Sequence, residues 1–168
     1  MGATLHDDAD DAFVNPLDLI EQIVLAHDWP FDRTSEREIA AEVTGRWCDY
    51  RLYFSWREDV QALHFTCAFD VRVPNEKARE VHSLLAMINE KLWLGHFDLW
   101  TEEGLPLFRH ALLLRGTSGL AVEQMEDLVD IAITESERFY PAFQYVVWGG
   151  KSPQEAMASS ILETVGEA

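Results

Sequence analysis

The chain has 168 residues and a formal net charge of −17, from 13 Lys and Arg against 30 Asp and Glu. Hydrophobic residues make up 48% of it, which is enough for a folded core and excludes general disorder. The negative charge disfavours contact with phosphate backbones. We therefore expect no nucleic-acid partner, and we expect the neutral or basic surfaces of other proteins as partners.

The cysteine content and the first residues indicate the compartment. Two cysteines, Cys48 and Cys67, are too few for a disulfide framework or a zinc site made of thiolates. Residues 1–14 are acidic and lack the apolar segment of a signal peptide, and no apolar stretch approaches the ~20 residues of a membrane span. We expect a cytoplasmic protein with a flexible acidic leader at 1–14, a single α+β domain at 15–168, and no membrane, metal or cofactor.

The first helix is predicted from its start signal. Asn15 is placed to cap it and Pro16 occupies the first turn, where no amide proton is missed. Apolar residues then recur at helical spacing as far as Asp28, and Trp29-Pro30 stops the helix. Three strands follow as a meander, the first around 39–43, the second at 46–56 and the third at 61–73.

The pairing of the second and third strands is the most detailed prediction. With 57–60 as the connecting loop, Trp56 faces Gln61 and Phe54 faces Leu63. One face of this hairpin is then apolar, and it consists of Cys48, Tyr50, Leu52, Phe54, Trp56, Leu63, Phe65, Cys67 and Phe69. The other face is mostly polar, which is typical of an antiparallel sheet with helices on one side.

The second half adds two strands and three helices. A helix opens at Pro74-Asn75 and runs to about Trp93, and a strand at 96–100 turns into another that reaches about Arg115. The run 111–114 is apolar at every position, which predicts a central strand covered on both faces.

A long helix then begins at Thr117-Ser118. Pro141 should kink or break it, and Gly149-Gly150 ends it. Ser152 and Glu155 form a capping box that opens a short final helix. The fold class is α+β, an antiparallel sheet of about five strands with helices on one face, in the order α-β-β-β-α-β-β-α plus a short C-terminal helix.

No motif for catalysis or metal binding stands out. His64 and Cys67 are three apart on a strand, so they point to opposite faces and cannot share a metal. His96 and Asp98 do share a face. Enzymatic activity would need these two to converge with His110 in a cleft, and we expect a non-enzymatic protein.

An aromatic segment near the C terminus is the candidate binding site. It supplies Phe139, Tyr140, Phe143, Trp148, Gly149 and Gly150. Core packing is the favoured explanation for the aromatic residues, and an exposed docking patch is the alternative.

Two segments carry a resemblance to a known family. WLGHFDLWTEEGLPLFRHALLLRG (93–116) and ERFYPAFQYVVWGGKSPQEAM (137–157) are similar to the YbjN family in the form found in alphaproteobacteria, and the similarity covers about residues 15–165. The resemblance implies a fold like that of type III secretion chaperones and a cytoplasmic, non-enzymatic sensory transduction regulator. It supplies no catalytic residues.

The leading hypothesis is a regulatory or chaperone-like module that binds another protein through its sheet face or its aromatic C-terminal segment. A second copy of the chain is one candidate partner. The alternative hypothesis is a regulator that senses a small molecule in a pocket between sheet and helices.

Overall fold

Local signals set the helix boundaries in the computed structural model, which describes residues 15–165 and the side chains of 15–162. The predicted acidic leader at 1–14 lies outside these residues. The elements are α1 (Pro16–Ala26), β1 (Phe31–Ser35), β2 (Glu38–Thr44), β3 (Asp49–Arg57), β4 (Ala62–Ala68), a 3₁₀ turn (Asn75–Lys77), α2 (Ala78–Asn89), β5 (His96–Trp100), β6 (Leu105–Leu113), α3 (Val122–Val147) and α4 (Pro153–Val165).

The cap predicted at Asn15 is confirmed, and of the capping box predicted at Ser152 the bond to the Ser152 side chain is present. The Asn15 Oδ1 atom accepts a hydrogen bond from the Leu17 amide at 3.0 Å, and Pro16 follows Asn15 in the first turn of α1. Ser152 Oγ accepts from the Glu155 amide at 3.2 Å at the start of α4.

The strands form one antiparallel sheet in the order β1-β2-β3-β4-β6-β5, and α1, α2 and α3 pack on one of its faces. The α+β class is therefore confirmed, with six strands in place of about five. The additional strand is β1, which is short and mostly polar, so its sequence carries little strand signal.

The predicted register of the β3–β4 hairpin is wrong by two residues, although the predicted faces are correct. Trp56 pairs with Leu63 and Phe54 with Phe65, so the four-residue loop begins one residue later than predicted, at Glu58. Gln61 ends this loop with φ of 48°, a left-handed backbone conformation. A slip of two returns each side chain to its original face, which is why alternation alone could not detect it.

Strand β6 lies inside the sheet, between β4 and β5, but the prediction that both its faces are covered is wrong. Leu112 faces the helices and is half-buried, whereas Leu113 on the opposite face is 77% exposed. A strand that is covered on both faces and a strand whose exposed face is also apolar have the same uninterrupted apolar run in sequence.

Two helix boundaries differ from prediction. Helix α2 ends at Asn89, before the predicted Trp93, and the Asn89 side-chain amide hydrogen-bonds both the backbone N–H and the C=O of Phe97, at 2.8 and 3.1 Å. Helix α3 begins at Val122, later than Thr117, and continues through Pro141 without a break.

The core centres on aromatic rings that join the sheet to α3. The Phe143 ring lies 5.1 Å from that of Phe69 and 6.2 Å from that of Phe97. Phe97 also contacts Phe108 at 5.6 Å and Phe139 at 6.0 Å, with near-perpendicular rings. These five residues are called the aromatic cluster below.

Phe97→Ala should lower the free energy of unfolding by about 3–5 kcal/mol, because it opens a cavity in the aromatic cluster. Urea denaturation followed by circular dichroism measures the change. The control is Trp93→Ala, since Trp93 is 78% exposed and its loss should cost about 0.5 kcal/mol or less. Equal costs for the two variants would contradict the assignment of the core.

The two thiols should be unreactive in the folded protein. Burial raises the pKa of both Cys48 and Cys67 to about 12, so at pH 8 thiolates are far rarer than in an unfolded chain, where the pKa is about 8.5. Labelling with a thiol-specific disulfide reagent at pH 8 should be at least ~100-fold slower than in urea.

The same shifts make stability fall at alkaline pH. The unfolded thiols ionise near pH 8.5 while the native ones do not, so the free energy of unfolding should decline between about pH 8.5 and 12. In a Cys48→Ser variant, any thiol labelling and any alkaline loss of stability that remain come from Cys67. Rapid labelling of both thiols in the folded protein would refute the burial.

Candidate functional site

Within residues 15–165, no helix packs on the face of the sheet opposite α1, α2 and α3, and we call this face the open face. Alternation and the observed pairing place on it Asp32, Glu38, Ala40, Glu42, Thr44, Asp49, Arg51, Tyr53, Ser55, Arg57, Ala62, His64, Thr66, Ala68, His96, Asp98, Trp100, Leu105, Leu107, Arg109, Ala111 and Leu113. Its apolar side chains lie mainly on β6 and in the Tyr53–Trp100 pair, whereas the middle of β3 and β4 carries Ser55, His64 and Thr66. The prediction of a mostly polar face therefore holds only in part.

Two aromatic rings meet across the open face. Tyr53 on β3 and Trp100 on β5 have ring centroids 5.6 Å apart, although strands β4 and β6 lie between β3 and β5. Their side chains therefore lean over β4 and β6. On those strands, Ala68 is 3% exposed and Leu107 fully buried, although no helix within residues 15–165 packs on this face. The apolar surface presented here is therefore that of the half-buried Tyr53 and Trp100 rings.

Two hollows flank this surface and share Glu42 and Arg51. One has a volume of about 380 Å³ and also contacts Asp70 and Arg72, and the other, of about 360 Å³, is walled by Tyr53. Arg51 forms no ion pair within the described part of the chain, so its guanidinium is available to an acidic group of a ligand.

Sequence reasoning missed the apolar character of the open face. The available signal was that the residues of β6 on this side, Leu105, Leu107, Ala111 and Leu113, are as apolar as those on the other. That pattern was interpreted as double coverage by helices.

The predicted aromatic segment is divided between the core and the surface. Phe139, Tyr140 and Phe143 are at most 3% exposed, so the structure supports core packing for these three. The Tyr140 hydroxyl donates to Asp70 at 2.9 Å, which ties α3 to the segment after β4.

The end of the segment is at the surface. Trp148 is 61% exposed, and Gly149 and Gly150 are exposed beside it. A docking role for Trp148, Gly149 and Gly150 stays a prediction.

The acid–base candidates do not converge. Asp98 Oδ2 accepts a hydrogen bond from Arg109 at 3.3 Å, and Oδ1 accepts from the Leu99 amide at 2.8 Å. Alternation places His110 on the other face of the sheet from Arg109. Burial lowers the pKa of His110, with a further contribution from the charge of His96. Within the described residues, these side chains do not form one cleft.

The described residues contain no group of three or more His, Cys, Asp or Glu side chains placed to hold a metal ion. None of the helices found there is both long and apolar enough to cross a membrane.

Comparison with known structures supports the fold. The chain is similar to the crystal structure of YbjN, "a putative transcription regulator from E. coli", with a TM-score of 0.51 and 13% sequence identity over 71% of this chain and 84% of that one. At this identity the likeness shows the fold alone. No functionally curated protein matches the sequence.

The sequence itself carries the family assignment. A match to the YbjN family, described as "Putative bacterial sensory transduction regulator", extends over residues 16–145. It spans α1, the whole sheet, α2 and most of α3, so it includes both the open face and the aromatic cluster. The chain belongs to the YbjN family.

Proposed function

We propose that this regulator acts without catalysis, by binding another protein through the open face. The observation that supports the proposal most strongly is the exposure of apolar side chains on a sheet face that no helix within residues 15–165 covers. Leu113 is 77% exposed there, and Val60 in the adjacent β3–β4 turn is 50% exposed. Apolar surface beyond scattered single residues is typical of interaction sites.

The charges of the open face indicate the kind of partner. Glu38 and Glu42 lie on its β2 side, whereas Arg51, Arg57 and Arg109 lie on β3 and β6. A surface that combines apolar side chains with charges of both signs suits a protein partner that has both apolar and polar contact groups. It does not suit a polyanion such as nucleic acid, which the net charge of −17 also disfavours.

The proposed compartment is the cytoplasm. Both cysteines are free thiols in the structure, and no disulfide is formed between them. Free thiols are typical of proteins in reducing compartments. This agrees with an intracellular regulatory role, in which the partner is another cytoplasmic protein.

Small-molecule sensing is the second candidate function. It is favoured by the two hollows of about 380 and 360 Å³, each within the size range of ligand sites, and by the Arg51 side chain that they share. A thermal-shift screen of metabolites separates the two functions, because a ligand that binds only the folded state raises the melting temperature.

The double variant Ala111→Glu/Leu113→Glu should weaken partner binding, because it puts two carboxylates on the exposed apolar part of the open face. The wild type and the variant are compared by tagged pull-down from the native cytoplasm with mass spectrometry. Direct titration of the captured protein should then show at least ~10-fold weaker binding, a loss of about 1.4 kcal/mol.

Trp93→Glu provides the matched control, since Trp93 is equally exposed but lies in the α2–β5 connection. It should bind like the wild type. Circular dichroism and melting temperature must show that both variants are folded. A partner retained by a folded double variant would refute the open face as the site, and loss with Trp148→Ala alone would move the site to the C-terminal segment.

A further inference from the structure

The sheet ends in two edge strands, β1 and β5, and the backbone groups that point outward from them differ. On β5, the Asn89 side chain accepts from the Phe97 N–H at 2.8 Å and donates to the Phe97 carbonyl at 3.1 Å. The next outward amide, that of Leu99, donates to the Asp98 carboxylate at 2.8 Å. These side chains take the place of a further strand, so this edge is closed to strand addition.

Strand β1 has an edge that is not covered in this way. The Glu42 amide donates to the Pro30 carbonyl at 2.9 Å, so Pro30 directs its carbonyl towards β2. Because the direction alternates along a strand, the N–H and C=O groups of Phe31 and Arg33 point away from the sheet. None of these four groups forms a hydrogen bond within the described part of the chain. We call this side of β1 the open edge.

Apolar side chains border the open edge on the side of the helices. Arg33 donates to Asp18 and Glu21 of α1 at 2.9 and 2.8 Å, which places this side of the helix over β1. Leu25 lies on the same side of α1, one turn after Glu21, and is 59% exposed. Phe31 shares a face of β1 with Arg33 and is half-buried. An apolar side chain added beside Phe31 would therefore pack against Phe31 and Leu25.

The opposite side of the open edge is acidic. Asp32 is exposed there, and the hollow of about 360 Å³ beside it is also lined by Glu42. Neither carboxylate forms an ion pair with another residue that the structure describes. Arg51 lines the same hollow and offsets one of the two charges. A Lys or Arg side chain placed directly opposite Asp32 is therefore attracted to this side.

From the open edge and its two unlike sides we infer that β1 accepts an extended segment of a partner protein as an additional antiparallel strand. The backbone of that segment pairs with Phe31 and Arg33, and the residues opposite these two carry apolar side chains towards α1. The residue opposite Asp32 is Lys or Arg. This is β-strand addition, in which main-chain hydrogen bonds give affinity and alternate side chains give specificity.

A second copy of the chain fits the open edge poorly. Antiparallel registers that pair more than half of one β1 with another are centred on Asp32, Arg33 or Thr34. The first two place like charges directly opposite each other, and the third places Asp32 opposite Glu36, which is also unfavourable. The acidic residues 1–14 are disfavoured by the carboxylates beside the open edge for the same reason. The charges of β1 therefore exclude these occupants and select a strand of different sequence.

The test titrates full-length protein into a fluorescein-labelled peptide of eight residues in which Val and Lys alternate, followed by anisotropy. When Lys lies opposite Asp32, the Val residues direct their N–H groups towards β1, because opposed residues of antiparallel strands share a face. The wild type should bind with a Kd on the order of micromolar. N-methylation of the Val residues should raise this Kd at least ~10-fold, whereas N-methylation of the Lys residues, whose N–H groups point outward, should change it by no more than about threefold.

Variants of the protein test the charge of the open edge. Asp32→Lys should raise the Kd at least ~10-fold, because it puts like charges opposite each other. The matched control is Glu103→Lys in the exposed β5–β6 turn, which makes the same change of charge at the other edge of the sheet. Its Kd should stay within about twofold of the wild type. Ala111→Glu/Leu113→Glu should also bind the peptide like the wild type, so the open edge and the open face are tested separately.

Amide hydrogen exchange followed by NMR locates the added strand. In the free protein, the Phe31 and Arg33 amides should exchange much faster than that of Ala40, which faces Asp32 in the β1–β2 ladder. Saturating peptide should slow exchange at Phe31 and Arg33 at least ~10-fold.

Each contrary result overturns the inference. Slow exchange of the Phe31 and Arg33 amides in the free protein shows that the edge is already covered, by another part of the chain or by a second copy. An unchanged Kd for the peptide with N-methylated Val shows that no antiparallel strand is added. An equal loss with Glu103→Lys shows attraction to net charge alone, and absence of binding by the wild type excludes this class of ligand.

Discussion

Phe97 makes the contact on which the remaining architecture depends. Its ring touches those of Phe108 on β6, Phe139 and Phe143 on α3, and Phe69 after β4. Phe97 thereby connects β5 to β6, to the segment after β4 and to α3. Because so many large rings interlock in near-perpendicular pairs, α3 has few alternative positions on the sheet. The Asn89 side chain holds the same strand from α2 by bonding the Phe97 backbone.

Placing the long helix on one face determines which surfaces remain for binding. The helices cover the side of the sheet that carries the aromatic cluster. The other side carries charged residues of both signs together with apolar ones such as Ala111 and Leu113, and no helix within residues 15–165 packs on it. The proposed binding surface is thus a consequence of this packing arrangement.

The site was less predictable from sequence than the fold. The order of elements and the inward face of each central strand follow from apolar periodicity, but exposure of a given apolar residue does not. The run 111–114 illustrates this, because a strand covered on both sides and a strand with an apolar open face have the same pattern. The aromatic residues 139–143 illustrate the converse. Phe139, Tyr140 and Phe143 lie on one side of a helix, and they are buried because a sheet distant in sequence lies against that side.

The sequence by itself determined the features that depend on neighbouring residues: the caps at Asn15 and Ser152, the inward face of β3 and β4, and the family to which the chain belongs. Only the tertiary structure decided which residues of β3 and β4 pair with each other. The pairing of Trp56 with Leu63 differs by two residues from the predicted one, and both registers bury the same side chains. The choice between them depends on the loop that ends at Gln61 and on packing against β6 and α3. Alternation has a period of two, so it specifies the direction of a side chain but not the residue opposite.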